Sequence, residues 1–202
     1  MPIGFRSGRL LKGTLSGVFL ATTLVSAQSP QAKPTTKKAV AHRANELTLA
    51  GLRPGQDNLV RASRLNKQFG EGKEQPGDQT AWFDKCRDLS LTIDGGKVKQ
   101  IEEIRVGLYS GSTADCHVTL PSPWKTGLGL HIGDSTPKLA QLYGSPDSKS
   151  PSTRGGQPLE LWYYAFDWAG PDVPQVMEVL CTREKEGQPG TVVEITLAAP
   201  SL

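Results

Sequence analysis

The sequence predicts an α+β protein: two tandem repeats, each a helix followed by an antiparallel β-sheet, with the two sheets joined and the helices on one face. Three observations carry this. Leu52-Arg53-Pro54-Gly55-Gln56 leads into a helical stretch that stops at Phe69-Gly70, and Leu130-His131-Ile132-Gly133-Asp134 leads into a shorter one that stops at Tyr143-Gly144. After each stop comes a Trp-led strand, at Trp82 and Trp162, and then a hairpin, Leu89 to Val106 and Val176 to Leu197. Each unit has roughly 70–85 residues, near the size at which a lone core is marginal, so pairing edge strands of the two sheets would enlarge the core. Hairpins rather than crossovers connect most strands, which separates this pattern from α/β folds.

Residues 1–27 read as a secretory signal. Arg6, Arg9 and Lys12 give a positive start, and Leu15 to Val25 is an uncharged apolar stretch. Val25-Ser26-Ala27 supplies the small residues a signal peptidase needs, so the mature protein is expected to begin at Gln28. The apolar stretch is shorter than the ~20 residues of a spanning helix. No Cys stands near the cleavage site, so no membrane anchor is expected after cleavage. The expected address is the periplasm or the exterior. Lys and Arg number 23 in the whole chain, and Asp and Glu number 20. The signal removes Arg6, Arg9 and Lys12 and no acidic residue, leaving 20 of each. That balance gives no electrostatic case for nucleic acid or an anionic membrane as partner.

Residues 28–45 are rich in Pro, Lys, Thr, Gln and Ala without apolar periodicity, and are expected to be a disordered tether. Repeat one is expected over 46–116. Gln56-Asp57-Asn58 offers helix caps, Leu59, Ala62, Leu65 and Phe69 recur at helical spacing, and Gly70 ends the helix. Glu71 to Thr80 reads as a polar loop and Trp82-Phe83 as the opening of a strand. Leu89, Leu91 and Ile93 alternate with polar residues before the turn Asp94-Gly95-Gly96-Lys97. Val98, Ile101, Ile104 and Val106 fill the return strand, and their one shift in spacing predicts a β-bulge near Gln100 to Glu103. Repeat two is expected over 117–202. Asp134-Ser135-Thr136 supplies its cap, Pro137 suits a first helical position, and Leu139, Leu142 and Tyr143 form a short apolar face. Leu159 to Trp168 reads as a long strand, followed by a hairpin of Val176 to Cys181 with Thr191 to Leu197.

The helical unit closed by Tyr/Phe-Gly and followed by strands resembles the small domain of the outer-membrane-assembly lipoprotein family, the SmpA/OmlA type. A tandem version resembles the β-lactamase inhibitory protein architecture. The motifs that carry this are Leu130 to Asp134 through Leu142-Tyr143-Gly144-Ser145-Pro146, and Leu52 to Gly70. The chain departs from those lipoproteins in lacking a lipidated Cys. The resemblance implies binding to another protein rather than turnover of a substrate.

Three cysteines, Cys86, Cys116 and Cys181, in an oxidising compartment suggest one bridge and one leftover thiol. Cys86 with Cys116 is the expected pair, because both lie within the first repeat and its exit. Cys181 sits in an apolar strand and reads as a small buried hydrophobe. Catalytic and cofactor motifs find little support. Gly127-Leu128-Gly129-Leu130-His131-Ile132-Gly133 has one residue too many for a dinucleotide loop and lacks a βαβ context. His42, His117 and His131 are scattered, so no metal site is expected. Glu102-Glu103 and Glu184 with Glu186 read as solvated pairs. No catalytic residue and no cofactor are therefore assigned.

The remaining candidate is aromatic. Trp162, Tyr164, Phe166 and Trp168 share one side of a strand by its period of two, and Trp82 is expected to join them from the equivalent strand. Leu161 and Tyr163 would then point towards Leu139 and Leu142. The five aromatics are either core or a partner-binding face, since Trp and Tyr are common interface anchors. The expected function is an exported, soluble protein-binding module that uses this face, in envelope assembly or enzyme inhibition. The alternative is a hydrolase with carboxylates in the cleft between the repeats.

Overall fold

Alternation of apolar and polar residues marks stretches such as Leu89 to Ile93 and Ile195 to Leu197, while helical spacing holds over only two short stretches. The computed structural model describes residues 48–108, 122–167, 174–184 and 187–199. They form helix α1 (Leu59–Leu65), a 3-10 turn (Lys67–Phe69), and strands β1 (Lys73–Gln75), β2 (Gln79–Phe83), β3 (Arg87–Ile93) and β4 (Ile101–Leu108). Helix α2 (Thr136–Tyr143) follows, then β5 (Ser148–Arg154), β6 (Gln157–Asp167), β7 (Pro174–Thr182) and β8 (Val192–Ala198). The eight strands make one antiparallel sheet in the order β1-β2-β3-β4-β8-β7-β6-β5.

The expected α+β fold of two tandem helix-plus-sheet repeats is corrected by this topology. The protein is mainly β, a single sheet accompanied by helices of only 7 and 8 residues. Helices this short are unstable in isolation and persist by packing. The ladder between β4 and β8, from Glu103 opposite Ala198 to Gly107 opposite Glu194, makes the sheet continuous. Residues 1–45, with the expected signal and tether, and the expected boundary at 116 lie outside the described residues.

Strand register explains the core. Trp82, Leu89, Val106, Ile195, Val179 and Trp162 are cross-strand neighbours in one row that runs through the β4–β8 joint. Leu91, Ile104, Leu197, Met177 and Tyr164 form the next row. All are buried. The helices and the segment around Trp124 cover this face. Tyr143 of α2 lies 5.8 Å from Tyr164 and 6.1 Å from Phe166, and Trp124 donates its indole N–H to Asn66 Oδ1 at 2.8 Å. Two bulges keep the rows in phase. Thr92 faces Glu103 while Ile93 faces Ile101, which leaves Glu102 extra and lets both Ile101 and Ile104 point inward. Val193 is the extra residue in β8, between Val192 and Glu194.

Several local expectations change. Val98 is 67% exposed in a turn that runs to Gln100, because Asp94 exchanges hydrogen bonds with Gln100 and delays the return strand. Leu65 is 45% exposed rather than part of the apolar face of α1. The helix ends there because Asn66 turns inward, donates to the Ala62 carbonyl and accepts from Trp124. The supposed loop Glu71 to Thr80 contains β1, and β5 was not anticipated at all. Both are mostly exposed polar edge strands, so neither shows alternation.

Candidate functional site

The strand period sends alternate residues to the second face of the sheet, which carries neither helix. One row there runs Ala81, Ser90, Arg105, Thr196, Glu178, Tyr163 and Ser148. The next runs Phe83, Asp88, Gly107, Glu194, Leu180, Leu161 and Ser150. The middle of the face is charged, and the part over β6 and β7 is apolar apart from Glu178, which stands opposite Tyr163.

Glu194 Oε2 organises the charged part. It accepts from Arg105 Nη1 at 2.9 Å and from Arg154 Nη1 at 2.7 Å. Arg105 Nη2 also pairs with Asp88, and Arg154 Nη2 donates to the Leu108 carbonyl at 3.1 Å. Gly107 lies beneath this cluster. A Cβ there would stand 3.0 Å from Arg105 Nη1, 3.1 Å from Glu194 Oε2 and 3.2 Å from Arg154 Nη1. The absence of a side chain at 107 therefore gives the cluster its room.

Burial pushes the Asp88 carboxyl above its ordinary range, although Arg105 and Arg154 pull it down. Glu103 is also pushed up, first by burial and then by the like charges of Glu178 and Glu194. For Arg105, burial acts downward, but Asp88 and Glu194 raise the guanidinium still further above its usual value.

The expected partner-binding aromatics do not stand on this face. Trp82, Trp162, Tyr164 and Phe166 are buried members of the helix-side core, none more than 4% exposed. Tyr164 and Phe166 pack against Tyr143, and the Tyr164 hydroxyl donates to the Gly144 carbonyl at 3.4 Å. Of the two readings open for these four, partner-binding face or core, their burial gives core, and Leu161 and Tyr163, expected to point towards α2, face away from it. The reason is local: both sides of β6 are apolar, so alternation did not say which side the helix covers. Trp168 lies outside the described residues.

Cys181 is a buried free thiol, and burial raises it to about 12, so it is unreactive at neutral pH. Cys86 is not a free thiol, and Cys116 lies outside the described residues. His131 pairs with Asp134 beside α2, while His42 and His117 lie outside the described residues. Among the described residues no group of three or more His, Cys, Asp or Glu could hold a metal ion. No helix of the described residues is long and apolar enough to cross a membrane.

Sequence reasoning missed Asp88, Arg105, Glu194 and Arg154. A signal existed for three of them: Asp88-Leu89, Arg105-Val106 and Glu194-Ile195 each place a charge beside an inward apolar residue. Their convergence depends on long-range register. Comparison with family models, with curated proteins and with solved structures finds no match for this chain.

Proposed function

We propose that the chain is an exported protein-binding module whose contact surface is the second face of the sheet over β6 and β7. The observation that carries this is the set Leu161, Tyr163, Val176 and Leu180. These residues stand half-buried on adjacent strands of a face that bears neither helix, next to a fixed charged cluster. Glu178, opposite Tyr163, stands among them. Part-exposed apolar side chains interspersed with polar ones are the anatomy of an interface, and Tyr is a common anchor. Strand addition at the sheet edges is the weaker route. β1 has only three residues, and β5 carries Lys149 and Pro151, features that protect an edge. The resemblance of Leu130 to Pro146 to the assembly lipoproteins supports protein contact as the mode of action. The signal-like residues 1–27 support a periplasmic or secreted address. A Cys86–Cys116 bridge belongs to the same proposal, and non-reducing peptide mapping decides it.

Cross-linked capture from an envelope extract tests the face. The wild type, Leu161→Ser/Tyr163→Ser and the control Val60→Ser on α1 are compared. Loss of a captured partner in the double variant alone supports the reading; equal retention by all three sinks it.

A second reading, hydrolysis by carboxylates where the two halves of the sheet meet, has one observation in its favour. Glu103 is pushed up beside Glu178 and Glu194 at the β4–β8 joint. Turnover of ester, glycoside or peptide reporters that disappears in Glu103→Gln would move the function there; its absence from the wild type would leave binding.

A further inference from the structure

The end of the β5–β6 hairpin lies where a flat sheet would not put it. β5 stands four strand positions from β4 in the sheet order, about 19 Å at the usual ~4.8 Å spacing. Yet Arg154, the last residue of β5, reaches the Leu108 carbonyl of β4 at 3.1 Å and Glu194 of β8 at 2.7 Å. No arginine side chain spans that separation. The sheet therefore coils and carries the hairpin end back over its own second face, in keeping with the twist of strands.

Two further observations agree. Leu159 shares the side of Leu161 and Tyr163, yet it is only 3% exposed and lies outside the helix-side core cluster. It is buried on the second face, at the end over which Arg154 reaches. β5 contributes no residue to the core, and Ser148 to Pro151 are exposed. The turn itself is Gly155-Gly156, with φ +55 and +78, a tight left-handed pair suited to glycine. Lys149 holds the start of β5 to β6, through Glu160 at 3.7 Å and the Trp162 ring at 3.5 Å, whereas the far end of β5 is tied beyond its ladder with β6 by the Arg154 contacts.

We propose that the end of the β5–β6 hairpin is a strap across the second face and that Arg154 is its catch. Lifting the strap uncovers Leu159 and extends the apolar patch of Leu161 and Tyr163 to a protein partner. The inference rests on the binding-face reading, but its test needs no partner.

Amide hydrogen exchange on the full chain compares the wild type, Arg154→Lys and Arg154→Ala. The expected result is protection of residues 152–159 that falls roughly tenfold in Arg154→Ala and less in Arg154→Lys, with β3 and β7 unchanged. Unchanged protection of 152–159 in Arg154→Ala overturns the strap, because the hairpin end is then a fixed wall. If Arg154→Ala loosens β3 and β7 as well, Glu194→Gln replaces it under the same criterion. Once a partner is in hand, Arg154→Ala should bind it several-fold more tightly. A strap that lifts without that gain overturns its role in access and leaves the face reading intact. A strap that lifts while no partner depends on Leu161 and Tyr163 overturns the face reading instead.

Discussion

Tyr164 has no solvent exposure, and its ring lies 5.8 Å from Tyr143 and 6.4 Å from Phe166. Tyr164→Ala should therefore cost about 3–5 kcal/mol of stability, as for other buried aromatics, and urea melts read this directly. A loss under ~1 kcal/mol would contradict its place in the core. Glu103 behaves in the opposite sense. Its carboxyl is raised in the folded state above its usual 4.5, so its stabilising contribution is full below pH 4.5 and is lost as pH rises through the folded value. Glu103→Gln keeps the shape and removes the charge. The variant should match or exceed wild-type stability at pH 7, by up to ~1 kcal/mol, and the gap should close below pH 4.5. Paired melts across that range check it; a variant less stable at pH 7 would show that the charge is needed in place.

The short helices show how much of an element is written locally. Asn58 caps α1 by accepting from the Arg61 N–H at 3.1 Å, and Ser135 caps α2 from the Lys138 N–H at 3.4 Å. Both lie where Gln56-Asp57-Asn58 and Asp134-Ser135-Thr136 announce a start. Asn58→Ala should cost about 1 kcal/mol and loosen α1 first, which thermal melts and helix-resolved amide exchange would show. A neutral outcome would mean that the Asp57–Arg61 ion pair, at 3.0 Å, holds the turn unaided. The bulge at Glu102 was legible too, because Ile101 and Ile104 can both turn inward only if one residue is extra. β1 and β5 were not legible. Edge strands gain hydrogen bonds without burying side chains, so Lys73-Glu74-Gln75 and Ser148 to Arg154 carry no apolar alternation. The charged part of the site stayed hidden for a different reason. Asp88, Arg105, Arg154 and Glu194 meet through strand order and sheet coiling, and neither is encoded in local spacing.

At the scale of the whole sheet, the β4–β8 ladder decides how the protein comes apart. Trp82 of β2 and Trp162 of β6 end one buried row that crosses the joint without interruption. A core shared in this way gives neither half a separate hydrophobic interior, so unfolding should be a single cooperative transition. Cys181 in β7 reports on it. Its thiol is fully buried and raised to about 12, so alkylation at pH 8 requires that the strand open to solvent. In rising urea, tryptophan emission from buried Trp82, Trp124 and Trp162 should shift at the same midpoint at which iodoacetamide begins to label Cys181. Peptide-resolved mass spectrometry assigns the label. Trp82 belongs to the first half of the sheet, whereas Trp162 and Cys181 belong to the second, so the emission follows both halves and the label only the second. Two separated midpoints would show that one half melts while the other persists, with β4 and β8 parting between them. The apolar rows through the joint would then be a docking surface between two independent sheets rather than one core.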